Sequence, residues 1–90
     1  MSKKNKMLTW CDTITECIKT LNDLNTKLVK VSDNLTYINE EAADMDNTTY
    51  IRSHLKTISD TSIVEAFNAN TRSIKNLEAL RKRIASTSNN

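Results

Sequence analysis

The sequence predicts an all-α protein: a long N-terminal coiled-coil helix followed by one or two shorter helices, packing in a multi-helix hetero-oligomeric bundle. Three observations carry this expectation. Glycine and proline are both absent from the 90 residues, which removes the residues that usually build hairpin turns and strand bends. From Met7 an apolar residue recurs at alternating steps of three and four through Trp10, Ile14, Cys17, Leu21, Leu24, Leu28, Val31, Leu35, Ile38, Ala42 and Met45, an uninterrupted heptad row. Hydrophobic residues make up only 38% of the chain and aromatics 4%, so a stripe two positions wide in seven has to be covered by other helices.

The first element is a heptad helix over 6–46, preceded by a flexible basic N-terminus at 1–5. Its 39 residues from Met7 to Met45 span about 58 Å at 1.5 Å each. The cluster Asp44-Met45-Asp46-Asn47-Thr48-Thr49 marks its end, because short polar side chains compete for backbone hydrogen bonds and favour caps and turns. With no glycine to force a stop, the chain either bends there or passes straight through.

The second helical segment covers 47–85 with a break near 59–62. Ile51, Leu55 and Ile58 give it a brief apolar face, and Ser62 with Glu65 has the S-x-x-E form of a capping box at a helix start. The alternative is a phase slip inside one long helix, since the five residues from Ile58 to Ile63 fit neither heptad step. The final stretch runs through Phe67, Asn70, Ile74, Leu77 and Ile84 with Arg81 in the row and Leu80 beside it, and 86–90 forms a disordered tail. Asn70 either fixes alignment with a partner from inside the row or lies at a bundle edge.

With Met7 as position a, Ile14, Leu21, Leu28, Leu35 and Ala42 fall at a, and Trp10, Cys17, Leu24, Val31, Ile38 and Met45 at d. Leucine at a with isoleucine at d turns coiled coils away from dimers, and Ile18 and Val29 widen the stripe toward a multi-helix bundle. The e residues Ile18, Asn25, Ser32 and Asn39 and the g residues Thr13, Thr20, Lys27, Asn34 and Glu41 carry little charge, which favours a heteromer over a charge-paired zipper. The residues expected to meet partners are Trp10, Ile14, Leu21, Leu24, Leu28, Val31, Leu35, Ile38, Met45, Ile51, Leu55, Phe67, Ile74 and Leu77. Abundant serine, threonine and asparagine permit a helix without enforcing it, so firm helices are expected when other small helical coiled-coil proteins cover the row.

Other chemistries find little support. The net charge of +2, from 13 basic and 11 acidic residues, lacks the concentrated basic face of a nucleic-acid binder. Lys3, Lys4 and Lys6 at one end and Arg81, Lys82 and Arg83 at the other leave peripheral contact with an anionic membrane open, although the second cluster also suits the negative end of a helix dipole. No apolar run nears the roughly 18 residues of a spanning helix and no signal-peptide core is present. A cytoplasmic protein is expected, and Asn34-Leu35-Thr36 and Asn47-Thr48-Thr49 are then ordinary helix or turn residues rather than glycosylation sites.

Cys11 and Cys17, six positions apart, are separated on a helix by about 9 Å along the axis, too far for a disulfide. They read as small buried hydrophobes, Cys17 facing the core and Cys11 flanking it. His54 is the only histidine and no nucleophile or phosphate-binding loop accompanies it; Asp44 and Asp46, two apart, point to different faces. The expectation is a protein without catalysis, cofactor, metal or small-molecule substrate.

The stretch Leu35-Thr36-Tyr37-Ile38-Asn39-Glu40, followed after a short acidic interval by Tyr50-Ile51 and Leu55 and then by Asn70, Arg72, Ile74 and Leu77, resembles the snapin family over about half the chain, with a one-residue gap in the interval. The resemblance implies a small coiled-coil subunit of the complex for biogenesis of lysosome-related organelles, or of its lysosome-positioning relative, acting in vesicle trafficking at endosomal or lysosomal membranes. The chain departs from that family in a shorter N-terminus and in lacking the basic run after the tyrosine, which puts direct contact with fusion proteins in doubt. Leu24-Asn25 and Ile38-Asn39 are also similar to small subunits of the DASH kinetochore ring, the second assembly the sequence points to. An autonomous homo-oligomeric bundle is the third.

Overall fold

A computed structural model describes residues 2–89, and among them every regular element is helical. The order is α1 (Lys3–Ala43), α2 (Thr49–Thr57), a π-helical turn (Ile58–Ile63) and α3 (Val64–Ser88). Met1 and Asn90, the outer ends of the segments expected to be flexible, lie outside the described residues.

Helix α1 starts earlier than the apolar pattern indicates. The Ser2 hydroxyl accepts the Asn5 amide at 3.2 Å and the Ser2 carbonyl accepts the Lys6 amide at 3.1 Å, so Ser2 is an N-cap. Lys3 and Lys4, expected in a flexible lead, therefore lie in the first turn, where the helix dipole disfavours their charge. The threonines that weaken local preference are accommodated by donating to the carbonyl four residues back: Thr9 to Asn5, Thr13 to Thr9, Thr15 to Cys11, Thr20 to Glu16 and Thr36 to Ser32, at 2.9–3.1 Å.

The helix ends at Ala43, within the Asp/Asn/Thr cluster, and the chain turns there. Asp44 and Met45 donate to the carbonyls of Glu41 and Ala42 in tightened turns, and Asn47 takes the left-handed conformation at φ 63°, which asparagine tolerates better than most residues other than glycine. The Thr48 hydroxyl then lies 2.6 Å from the Ala42 carbonyl and 3.0 Å from that of Met45, a second donor for the first and a donor for the second at a helix end where carbonyls lack intrahelical partners. Asn47 and Thr48 together do what a glycine usually does.

No break occurs at 59–62. Thr57 (φ −60°, ψ −44°) and Val64 (φ −63°, ψ −43°) are both helical, so Ser62 stands inside a continuous helix and the capping-box reading is corrected. The five-residue interval is instead absorbed by the wider π-helical turn, whose bonds span five residues. At about 100° per residue an unbroken α-helix would point Ser62 and Ala66 inward with Leu55 and swing Ile63 about 80° away. The extra residue keeps Ile63 half-buried. Helix α3 also continues to Ser88, past the expected tail at 86, with Thr87 and Ser88 hydroxyls bonded to the Arg83 and Ala85 carbonyls. Arg81, Lys82 and Arg83 consequently sit before its last turn.

The chain divides into two compact units, Met1–Leu24 with Asn70–Asn90 and Asn25–Ala69. In the first, Arg81 fixes the pairing of α1 with α3: its guanidinium donates to the Thr15 hydroxyl at 3.0 Å and its carbonyl accepts the Cys11 thiol at 3.7 Å. In the second, the return helix packs back on α1, with Leu35 and Asn39 facing the stretch from Thr49 to Asp60 and Leu28 and Ser32 facing Ser59 to Phe67. Each unit has one buried hydrophobic residue among those described, Ile74 in the first and Ala42 in the second.

Candidate functional site

The row of α1 turned toward the return helices is not the one that hydropathy selects. The shielded residues are Met7, Ile14, Leu21, Leu28, Leu35 and Ala42 at a, together with Cys11, Ile18, Asn25, Ser32 and Asn39 at e. Every d residue is exposed: Trp10, Cys17, Leu24, Val31, Ile38 and Met45, with Ile38 45% and Met45 65% accessible. On a helix the a position lies between d, about 60° to one side, and e, about 40° to the other. Pairing on the a/e side turns three polar residues inward and leaves the apolar d row to water.

Of the residues expected at an interface, Ile14, Leu21, Leu28, Leu35, Leu55 and Leu77 are half-buried and Ile74 is buried, so the chain's own pairing uses them. Trp10, Leu24, Val31, Ile38, Met45, Ile51 and, marginally, Phe67 remain exposed. The cysteines exchange the places expected of them. Cys17 is exposed and Cys11 half-buried, because Cys17 belongs to the d row and Cys11 to the e row. Asn70 faces inward.

Within the Asn25–Ala69 unit the two sides of the helix pair differ in chemistry. One side is a groove of about 620 Å³, floored by Leu35 and Leu55, in which Thr36 and Asn39 of α1 face Arg52, Lys56 and Ser59. Next to it lies a smaller apolar furrow of about 170 Å³ between Leu28, Val29 and the residues Ile63, Val64 and Phe67. Measured from Leu55, the groove residues Arg52, Lys56 and Ser59 are displaced to one side, whereas Ile51 and Ile58 lie about 40° and 60° to the other. Val31 and Ile38 stand on the side of α1 away from Thr36 and Asn39, so they share with Ile51 and Ile58 one apolar face opposite the groove.

His54 is exposed and packs edge-on against Tyr50, one turn earlier, with ring centroids 4.4 Å apart. The Tyr37 hydroxyl donates to the Glu41 carboxylate, which raises the tyrosine above its ordinary value. Among the described residues no group of three or more His, Cys, Asp or Glu converges, and no helix is long and apolar enough to cross a membrane.

Sequence reasoning missed Ser2, Thr48 and Arg81 as the residues that fix the ends and the pairing of the helices. Only Thr48 carried a signal, its place in the turn cluster. No family model, curated protein or solved structure matches this chain.

Proposed function

We propose that the chain is a non-catalytic helical scaffold subunit whose exposed d row is covered by helices of other small coiled-coil proteins in a heteromeric complex. One observation carries this reading: Asn25, Ser32 and Asn39 are turned inward while Trp10, Leu24, Val31, Ile38 and Met45 are left to water. Apolar surface gains roughly 25 cal/mol per Å² on burial, so docking another helix beside α1 relieves the inversion without disturbing the existing pair. The a row is then shared between two neighbours, as in a bundle of four helices.

The setting that suits such a subunit is the cytoplasm, in vesicle trafficking at endosomal or lysosomal membranes. The likeness of Leu35 to Glu40 and of Tyr50, Ile51 and Leu55 to snapin-type subunits supports it, and a place in a kinetochore ring of the DASH type is the alternative. The reading assigns the protein no reaction, no cofactor and no nucleic acid; its partners are helices.

Affinity capture of the tagged full chain from cells that make it, beside the Trp10→Asp variant, tests the proposal. Small helical proteins should accompany the wild type and be lost from the variant. Recovery of the same set with both chains, or of none with either, overturns a heteromeric scaffold, and the identities recovered distinguish trafficking from chromosome segregation.

A further inference from the structure

We infer that the apolar face of the Asn25–Ala69 unit is covered by a second copy of this chain, with the two α1 segments antiparallel about a two-fold axis beside Asn34. This rests on the proposed scaffold reading and names the occupant of one stretch of its row. The g positions flank the d row on the side away from the return helix, about 60° farther round α1. In this unit they are Lys27, Asn34 and Glu41, and Lys27 and Glu41 stand seven residues to either side of Asn34, both exposed.

That arrangement complements itself in one direction only. Antiparallel pairing sets Lys27 against Glu41 of the second copy, Glu41 against its Lys27, and Asn34 against Asn34. Parallel pairing would bring the g row of one copy against the opposite flank of the other's d row, the leucine line at a, and leave Lys27 and Glu41 without oppositely charged partners. Of the other charges near the centre, Lys30 lies before Asn34, while Asp33 and Glu40, both at f, point away from the g row.

The apolar residues follow the same symmetry. Val31 and Ile38 lie three residues before and four after Asn34, so across the axis each falls within one residue of the other's level. Since Ser59 stands across the pair from Ser32, Ile58 is level with this centre and adds its exposed side chain to the contact. An isologous interface of this kind closes on itself as a dimer of helix pairs. Trp10 and Cys17, in the other unit, stay open to different subunits.

Sedimentation equilibrium of the purified full chain tests the inference, comparing wild type, Lys27→Glu, Glu41→Lys and the double exchange at low salt. Each single change replaces two attractions by two repulsions and should weaken self-association roughly tenfold. The double exchange should recover the wild-type affinity, which damage to folding by either substitution would not permit. Equal association of all four chains, or a double variant as weak as the singles, overturns the pairing. A wild type that stays monomeric also overturns it, yet leaves the heteromeric scaffold standing if affinity capture still returns helical proteins. Charge-swap recovery with nothing else captured sustains the second copy and overturns the heteromer.

Discussion

The e row and the d row of α1 run along one helix to either side of the same leucines, yet they meet opposite fates. The e row, with Asn25, Ser32 and Asn39, is shielded by the chain's own return helices; the d row, with Trp10, Leu24, Val31, Ile38 and Met45, is exposed. A helix pair folding for itself alone would choose the more apolar side. What the contrast teaches is that intramolecular pairing draws on one flank of the leucine line and leaves the more apolar flank open, the flank that the proposed assembly would use.

The sharpest way to break the comparison is to place aspartate on each line in turn. Leu28→Asp puts a carboxylate into the half-buried a row and should cost about 3 kcal/mol, visible as loss of helicity in urea melts monitored by circular dichroism. Ile38→Asp should leave the melt of the isolated chain nearly unchanged and abolish its association. If the two variants melt alike, the rows are not functionally distinct.

A change in the opposite direction sharpens the contrast. Asn39→Leu supplies the e row with the apolar residue it lacks, and should stabilise the isolated chain by about 1 kcal/mol, raising its urea midpoint while leaving self-association unaltered. A midpoint that does not move, together with tighter association, would mean that Asn39 faces outward in solution.

Removal of single hydrogen bonds comes next in size. Thr48→Ala strips the carbonyls of Ala42 and Met45 of their shared donor, and Thr15→Val removes the acceptor of the Arg81 guanidinium. Each should cost about 1 kcal/mol, read from thermal melts, and the two losses should add because they fall in separate units.

The smallest effect is on Tyr37. Its raised value means that the hydroxyl's bond to Glu41 contributes fully below the tyrosine's ordinary range and is lost as pH rises through the elevated value. Glu41→Gln should bring the tyrosinate absorbance transition down toward the usual position. A transition that stays put would assign the shift to something other than the carboxylate.

How far the sequence foretold this arrangement differs from element to element. The reach of α1 and its end near Asp44 were legible, since a sustained heptad and a run of Asp, Asn and Thr are both local signals. The slip between Ile58 and Ile63 was legible as a miscount of five, although Ser62 and Glu65 offered a competing local explanation; the need to keep Ile63 inward decided between them. The side of α1 that pairs with its own chain was not legible. Position a sits between d and e, so periodicity locates the leucines and is silent on which neighbour the partner helix leans toward. Arg81 was equally hidden, because its role depends on Thr15 and Cys11, more than sixty positions away.

The π-helical turn gives the chain one place where its length is negotiable. Losing a single residue between Ile58 and Ile63 would relax that turn into an ordinary α-helix and return everything downstream to its former azimuth, so Ile74 and Arg81 would keep their neighbours. The same loss within α1 would swing the rest of that helix by about 100° and scramble both of its rows. Drift in gene length should therefore be forgiven around Thr61 and punished around Asn34, and a scan of one-codon deletions along the coding sequence would trace that tolerance directly.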